Sequence, residues 1–581
     1  MTNAADVEDS SNASRVRHLL QSRLPILQWL PSYQINWLRH DVLAGLALAA
    51  YSIPEALVNA SLAGMPPQHG LYCFLIAGIA YSLFTTSRHA AVAATSAVSI
   101  MVGSTLGSMG IGDPAHYAKL AAATAMLVGV ISFFAWLLRL SDIVGFISET
   151  ILSGFKVGAA LVIASSQLPK FLGIQEGYGN FFERIFQVLQ NLGHVNLAVL
   201  VVGVGALILL LVGSRVISNG VVSLVVVTLS IIVMSLTSLS EFGVKVTGDI
   251  PVGFPVFGFP RLSFADIEEI VPVAFGCFLL AYVEGISMMR TFALKYRYKI
   301  DSGQEFLAAG AANLAVGLGQ GFPGAVGLSQ STVNEHAGGR TRTPLSMIFA
   351  CAMCGVVLLF FTGLFRNLPQ PVLAAMILVA AKSLVNIPEL KHLARVSKRE
   401  FIVALVTLVS VLFFGILKGV LLAVVFSLVM LVHRVAHPVV SVLGRIPGTN
   451  EFGGTDRHPE NETIPGVLAC RAEGDLLYFN VENIFNDILD RVRSSDSPIE
   501  LVVLDLSTSN HVDLAGARMV HHLHHELSSE GIYLILVGAH GDVRDLLRLD
   551  GLEKLVGRID RHLTLEMVMN RKKAESGSSE D

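Results

Sequence analysis

Apolar runs of membrane-spanning length, separated by short polar breaks, fill the chain from residue 43 to residue 433. They lie at about 43–62, 69–85, 91–109, 117–138, 145–165, 196–213, 219–237, 270–290, 305–318, 327–336, 345–363, 371–385, 401–416 and 419–433. These runs predict a polytopic α-helical membrane protein with about fourteen transmembrane segments, since a helix of roughly 20 apolar residues spans a ~30 Å hydrocarbon core. Residues 401–434 carry one lysine or arginine, Lys418, before Arg434. As one helix that stretch would run ~51 Å, so two short helices turning between Gly415 and Gly419 are predicted instead.

One break does not read as an ordinary loop. From Gly319 to Pro344 the chain is GQGFPGAVGLSQSTVNEHAGGRTRTP, with Gly319, Gly321, Pro323 and Gly324 ahead of Gly327 and then Ser329, Gln330, Ser331, Thr332, Asn334, Glu335 and His336. Irregular backbone at membrane depth must be buried in protein or line a watery cavity. An extended chain to about Leu328 followed by a half-helix would aim free N–H groups and the positive end of a helix dipole at such a cavity. That is an anion site made largely of backbone, in the manner of discontinuous transporter helices.

A second stretch echoes it. From Tyr51 to Ser96 is 96 − 51 = 45 residues, and from Tyr282 to Ser329 is 329 − 282 = 47. Thr95-Ser96-Ala-Val98 resembles Ser331-Thr332-Val333 in character. Two repeats of seven spans are necessarily inverted in the membrane, so a second half-helix beginning near Ala94 should face the first.

The ends of the chain differ from its middle. Residues 1–40 form a polar lead with Arg15, Arg17, Arg23, Arg39 and His40, placed in the cytoplasm by the positive-inside rule. The first span then serves as the insertion signal, because no apolar signal-peptide core precedes it. The transport domain runs 41–436, and the cluster Lys391, Arg395, Lys398, Arg399 falls on the cytoplasmic side with everything after Arg434. A Gly/Pro-rich linker is expected at 437–464, a small α/β domain at 465–570 and a disordered tail at 571–581. Within that domain GVLACRAEGDLLYFN, IELVVLDLS and IYLILVG read as strands, with helices at about 482–494, 514–528 and 541–549.

Composition agrees with lipid as the solvent for most of the chain: 52% of residues are hydrophobic, 15% charged, and the mean hydropathy is +0.61. The net charge of −4 favours no polyanionic partner, and no nucleic acid is expected. Cys351-Ala-Met-Cys354 has redox or metal spacing but sits in an apolar helix, where small residues serve packing. His521, His522, His524 and His525 crowd one helix and read as a solvated face. No metal, cofactor or enzymatic motif is expected; GxxxxGK[ST], HExxH and a partnered GxSxG are all missing.

Two acids fall inside apolar helices. Glu284 lies in PVAFGCFLLAYVEGISMMRTFAL, with Ser287 and Thr291 on the same face. A carboxylate at membrane depth costs ~2.5–3.5 kcal/mol and must face protein or water. It is the candidate proton carrier; a buried structural acid paired with Arg290 or another helix is the alternative. Glu55 follows Pro54, where a kink frees backbone groups. The candidate substrate-binding residues are Glu55, Thr95, Ser96, Glu284, Ser287, Leu328, Ser329 and Gln330.

Several segments together resemble the SulP family of sulfate permeases and related anion transporters, which end in a STAS domain. They are Asp41-Val-Leu-Ala-Gly45, Ala63-Gly64-Met-Pro66-Pro67-Gln-His-Gly70-Leu71-Tyr72, Thr86-Ser87-Arg88, Ala312-Asn313-Leu314, Gly321-Phe322-Pro323 and Ala337-Gly338-Gly339-Arg340-Thr341. The resemblance runs to about Met567. It implies a seven-plus-seven inverted repeat of core and gate domains, alternating access, a homodimer, and an anion held between the third and tenth helices. The departures fall on that site. Ala93-Ala94 replaces Gly-Pro, Glu55 a glutamine, Asn59 a tyrosine, and Gln330 an arginine. In the STAS domain Asp513-Leu514-Ala515-Gly516 stands where phosphorylated relatives have Asp-Ser-Ser-Gly, so that phosphoswitch cannot operate. The expected function is secondary active transport of a small inorganic oxyanion, sulfate first, coupled to protons, in the plasma membrane with both termini cytoplasmic. Bicarbonate or dicarboxylate transport, and a STAS-bearing sensor or scaffold recruiting a cytoplasmic protein partner without transporting, are the alternatives.

Overall fold

The computed structural model describes residues 23–140, 149–175, 177, 179–216, 219–337, 341–495 and 497–577. Contacts divide the chain at Ser427/Leu428 into two units. Arg15 and Arg17 of the polar lead, and Gly338 to Arg340 of the last membrane motif, lie outside the described residues.

The first unit is almost wholly helical, in two series of the same order. The first comprises α1 (Ile35–Leu62), α2 (Pro67–Phe84), β1 (Val92–Ala93), α3 (Ser96–Ser108), α4 (Pro114–Leu137), α5 (Glu149–Leu172), the short α6 (Phe181–Gln190), α7 (Leu197–Gly213) and α8 (Asn219–Leu236). The second comprises α9 (Phe264–Tyr296), α10 (Ser302–Leu318), β2 (Ala325–Val326), α11 (Leu328–Ala337), α12 (Leu345–Val356), α13 (Gln370–Leu384), the short α14 (Ile387–Val396), α15 (Lys398–Phe414) and α16 (Ile416–Ala436). Seven helical stretches among the described residues are long and apolar enough to cross a membrane; the others, such as Ser96–Ser108 and Leu197–Gly213, are shorter. The turn predicted near Gly415 is there, with that glycine at φ 81° between α15 and α16.

Local chemistry sets the helix ends. Asp113 accepts from the Ala115 N–H ahead of Pro114, and Asp301 accepts from the N–H groups of Gly303 and Gln304. Ser263 and Asp266 form a reciprocal capping box. Packing then depends on small residues that let backbones approach. A Cβ on Gly70 would lie 1.9 Å from the Ala56 carbonyl oxygen, and one on Gly154 would lie 2.1 Å from that of Ala404. Cys351 and Cys354 are buried with their thiols turned to the Phe74 and Leu71 carbonyls on α2, so the pair packs a helix interface.

The contacts sort the helices into two bundles. α1, α2, α4, α9, α10, α11 and α12 pack among themselves around β1, β2 and α3, while α5, α7, α13, α15 and α16 form the second group. Outer faces remain apolar and exposed, as on α16 at Val425, Leu428, Val429 and Val432. Such faces are fit for lipid.

The second unit has a five-stranded sheet in the order β4-β3-β5-β6-β7. β5 (Val467–Ala472), β6 (Leu501–Asp505) and β7 (Tyr533–Val537) are parallel, and β3 (Val440–Arg445) and β4 (Phe452–Gly454) add an antiparallel edge. This corrects the expected linker at 437–464. Val440 and Leu443 are buried strand residues, and the Gly/Pro residues between the strands make a hairpin turn. The helices α17 (Val481–Arg493), α18 (Leu514–Ser529) and α19 (Gly541–Leu549) lie within a residue of their predicted places. Two further helices follow, α20 (Glu553–Val556) and α21 (Leu565–Gly577). The last covers residues 571–577 of the expected disordered tail, which are therefore helical.

Candidate functional site

Two extended dipeptides meet in the middle of the first bundle. Val92 pairs with Val326 and Ala93 with Ala325 in antiparallel register, and the Gly327 N–H donates to the Ala91 carbonyl at 3.0 Å. Each dipeptide runs directly into a short helix, α3 at Ser96 and α11 at Leu328. Antiparallel strands send the two helices away in opposite directions, so both N-termini lie at the centre. The first turn of each helix has N–H groups without intrahelical acceptors, and together the two ends make one electropositive focus.

Helix starts put Ser96 level with Leu328. The apparent echo of 95–98 at 331–333 is therefore out of register and falls a turn too deep in α11. The repeat itself is carried by the order of the elements and by the strand pair.

The polar side chains around this focus come from three helices. Asn59 on α1, fully buried, donates to the Ala94 carbonyl at 2.6 Å and accepts from the Ser96 hydroxyl at 2.9 Å. It fastens α1 to the start of α3. Thr95, only 7% exposed, is the N-cap residue, yet its hydroxyl bonds no α3 N–H and is buried without a partner. The Gln330 amide, also buried, donates to Glu55 Oε2 at 2.9 Å. Tyr51, one turn before Glu55, is within hydrogen-bonding reach of Glu55 and Ser329. Leu328 and Ser329 open the second half-helix and are exposed, Leu328 by 50%, so this end of α11 faces open space.

Glu284 and Ser287 lie on α9, which packs on α3 and β2. The neighbouring Gly285 lies against Val326, where a Cβ would come within 3.1 Å. Glu284 meets neither Arg290 nor the Glu55 group. Its partner is Lys156 on α5, with Nζ 3.8 Å from Oε1 and the two side chains 31% and 13% exposed. Arg290 instead donates to Ser302. The Glu284–Lys156 pair thus joins the two helix bundles, and Lys156 is a residue the sequence reading missed. Its signal was one lysine in the apolar run after Glu149.

Three other acids of the bundle are buried. Glu305, buried, accepts from Thr85 and Thr86 hydroxyls and the Thr86 N–H. Glu335 is held by Lys295 and Tyr296. Asp41 accepts from Tyr33. Each is tied to local donors, as structural anchors are. Among the described residues no group of three His, Cys, Asp or Glu could hold a metal ion.

In the second unit, Asp513 caps α18, accepting from the Gly516 N–H at 2.9 Å and the Tyr478 N–H at 2.8 Å. The histidine helix is partly solvated, and His521 pairs with Asp550 at 2.9 Å.

Comparison with known proteins gives a consistent picture. The model of the sulfate permease family matches residues 38–407, and that of the STAS domain matches residues 458–566. A protein of Mycobacterium tuberculosis named a probable sulfate transporter is 32% identical over 533 residues, covering 92% of this chain and 95% of its own. Murine Slc26a9, an anion transporter in the inward-facing state, has a TM-score of 0.84 at 22% identity, with 92% of this chain and 91% of that one covered. The transmembrane domain of a cyanobacterial bicarbonate transporter, BicA, has a TM-score of 0.58 at 22% identity, covering 68% of this chain and 98% of that domain.

Proposed function

Because this chain belongs to the sulfate permease family of multi-pass membrane transporters, we propose that it is a secondary active transporter of a small inorganic oxyanion, sulfate first, working by alternating access. The observation that carries this reading is the antiparallel pairing of β1 and β2, which brings two half-helix N-termini together beside Ser96, Ser329, Glu55 and Gln330. A tetrahedral oxyanion offers acceptors in every direction, and converging N–H groups supply donors without a fixed cation. The mycobacterial relative's name supports sulfate. The likeness to the bicarbonate transporter keeps bicarbonate as the second reading, with dicarboxylates a variant.

Coupling to protons falls to Glu284. Its ion pair with Lys156 spans the two bundles that alternating access requires to move against each other. A proton on Glu284 neutralises the carboxylate and lets Lys156 go, so that the bundles are freed when the carrier is loaded. Leaving aside the short α6 and α14, the remaining fourteen of α1 to α16 act as an inverted repeat of seven plus seven in the plasma membrane with both termini cytoplasmic. The exposed apolar face of the second bundle serves lipid and a homodimer contact, and the STAS domain offers a cytoplasmic partner a sheet-and-helix surface.

Uptake of labelled sulfate into proteoliposomes tests the transport reading, with unlabelled bicarbonate and dicarboxylate as competitors. Ser329→Phe should abolish uptake at normal membrane expression. Wild-type protein that moves none of the three anions would leave the non-transporting sensor or scaffold as the answer.

A further inference from the structure

Glu55 is the one acid of the candidate site whose partners are all uncharged. Its contacts are the Gln330 amide and the Tyr51 hydroxyl, and no ion pair reaches it among the described residues. The neighbouring elements supply none. α3 and α8 have no ionisable residue. On α2, His69 meets the Gln320 carbonyl, Cys73 the Phe322 carbonyl, Tyr72 the His69 ring, and Tyr81 meets Glu305. The α12 thiols face carbonyls. On α11, Glu335 is bound by Lys295 and Tyr296 with His336 beside it, at the opposite end from Gln330. Lys382 lies in the last turn of α13. On α1 itself, Asp41 is held by Tyr33 near the helix start, next to Arg39 and His40.

A bare carboxylate and an oxyanion cannot share that position. Both are acceptors only, both are negative, and Gln330 spends a donor on Glu55. A single proton between them removes the conflict, converting two repelling acceptors into one charge-assisted O–H···O⁻ bond. Resting on the reading that the anion lies at the half-helix N-termini, we infer that Glu55 and the bound oxyanion share one proton. Sulfate, with no proton of its own, binds only with a proton taken from solvent onto Glu55. Hydrogencarbonate brings its own O–H and donates it to the carboxylate. Glu55 thereby sets the protonation state of the complex at the anion itself, separately from the Glu284–Lys156 pair.

Calorimetric titration of the purified full chain with sulfate, in two buffers of different ionisation enthalpy at one pH on the alkaline limb where affinity falls with pH and free Glu55 is ionised, counts the protons taken up. Wild-type protein should take up about one proton per sulfate more than Glu55→Gln, and its affinity should weaken about tenfold per pH unit for that proton once free Glu55 is ionised. Hydrogencarbonate should bind with about one proton fewer than sulfate. Glu55→Gln should still bind sulfate, its amide donating in place of the carboxyl, and any proton it takes up should vanish on adding Glu284→Gln. Gln330→Arg gives an independent arm: a guanidinium against Glu55 should also remove about one proton while sulfate still binds. Sulfate binding to the wild type without proton uptake would overturn the inference. So would uptake that persists in Glu55→Gln and vanishes in Glu284→Gln. If neither anion binds the wild type, the half-helix site itself fails, and this inference with it.

Discussion

Asn59→Ala tests whether the start of α3 positions the anion. The native amide makes two hydrogen bonds, to Ala94 and Ser96, in a fully buried place. Losing the Ser96 bond costs about 1 kcal/mol net, and losing the other leaves the buried Ala94 carbonyl unpaired at about 1–3 kcal/mol. Ala94 is itself fully buried, so water does not replace the lost donor. The seat of the half-helix should weaken by roughly 2–4 kcal/mol in sum. Affinity follows the fraction of molecules with a seated half-helix, and every 1.4 kcal/mol is a factor of about ten. The expected result is a lowered melting temperature in detergent together with sulfate affinity reduced about tenfold or more. Both are read from one set of melts at increasing sulfate. A lowered melt with wild-type affinity would refute the positioning role and leave Asn59 a packing residue. No change in either would refute the bond accounting too.

Other expectations follow from single contacts. Lys156→Met leaves Glu284 facing no cation, a loss of about 3 kcal/mol for a fully buried pair and less here because the lysine is a third exposed. Adding Glu284→Gln should restore most of the lost thermal stability, and a double mutant no more stable than the single one would deny the pair any energetic coupling. In the STAS domain, burial pushes the Cys470 thiol up to about 12, so a maleimide at neutral pH should label it only after denaturation. Asp560 is held below the ordinary carboxylate range by the His562 and Leu563 N–H groups and by Arg558. A carboxyl so depressed contributes stability that is complete above roughly pH 4 and is lost as the pH falls through its folded value. Asp560→Asn should flatten that acid limb of the melting profile, and an unchanged limb would assign it to other groups.

Much of this architecture was legible because membrane sequences are written plainly. A half-helix beginning at Leu328 followed from Gly/Pro breakers ahead of a polar run, and the turn at Gly415 followed from length alone. The STAS strands and helices read through because the parallel core strands, such as Leu501–Asp505, are continuous apolar runs. The first two strands of that sheet did not. β4 is a three-residue edge strand, and Gly444, Pro447, Gly448, Gly453 and Gly454 within and between β3 and β4 dilute the apolar signal of both. The site was legible at its backbone and obscure at its partners. Gln330 and Glu55 stood out individually, but their hydrogen bond spans 275 positions, and nothing local joins Glu284 to Lys156. Asn59 read as a departure from the family pattern, and only its place between Ala94 and Ser96 gives it a role.

The most direct test of proton-driven anion transport is sulfate accumulation in proteoliposomes under an inward proton gradient, with membrane potential clamped, for wild type and Glu284→Gln. Wild-type protein should concentrate sulfate above the external level and lose it on addition of a protonophore. Glu284→Gln, a neutral mimic of the loaded carboxyl, should keep counterflow exchange and lose accumulation. Full gradient-driven accumulation by Glu284→Gln, or wild-type uptake indifferent to the gradient, would contradict proton coupling through this residue.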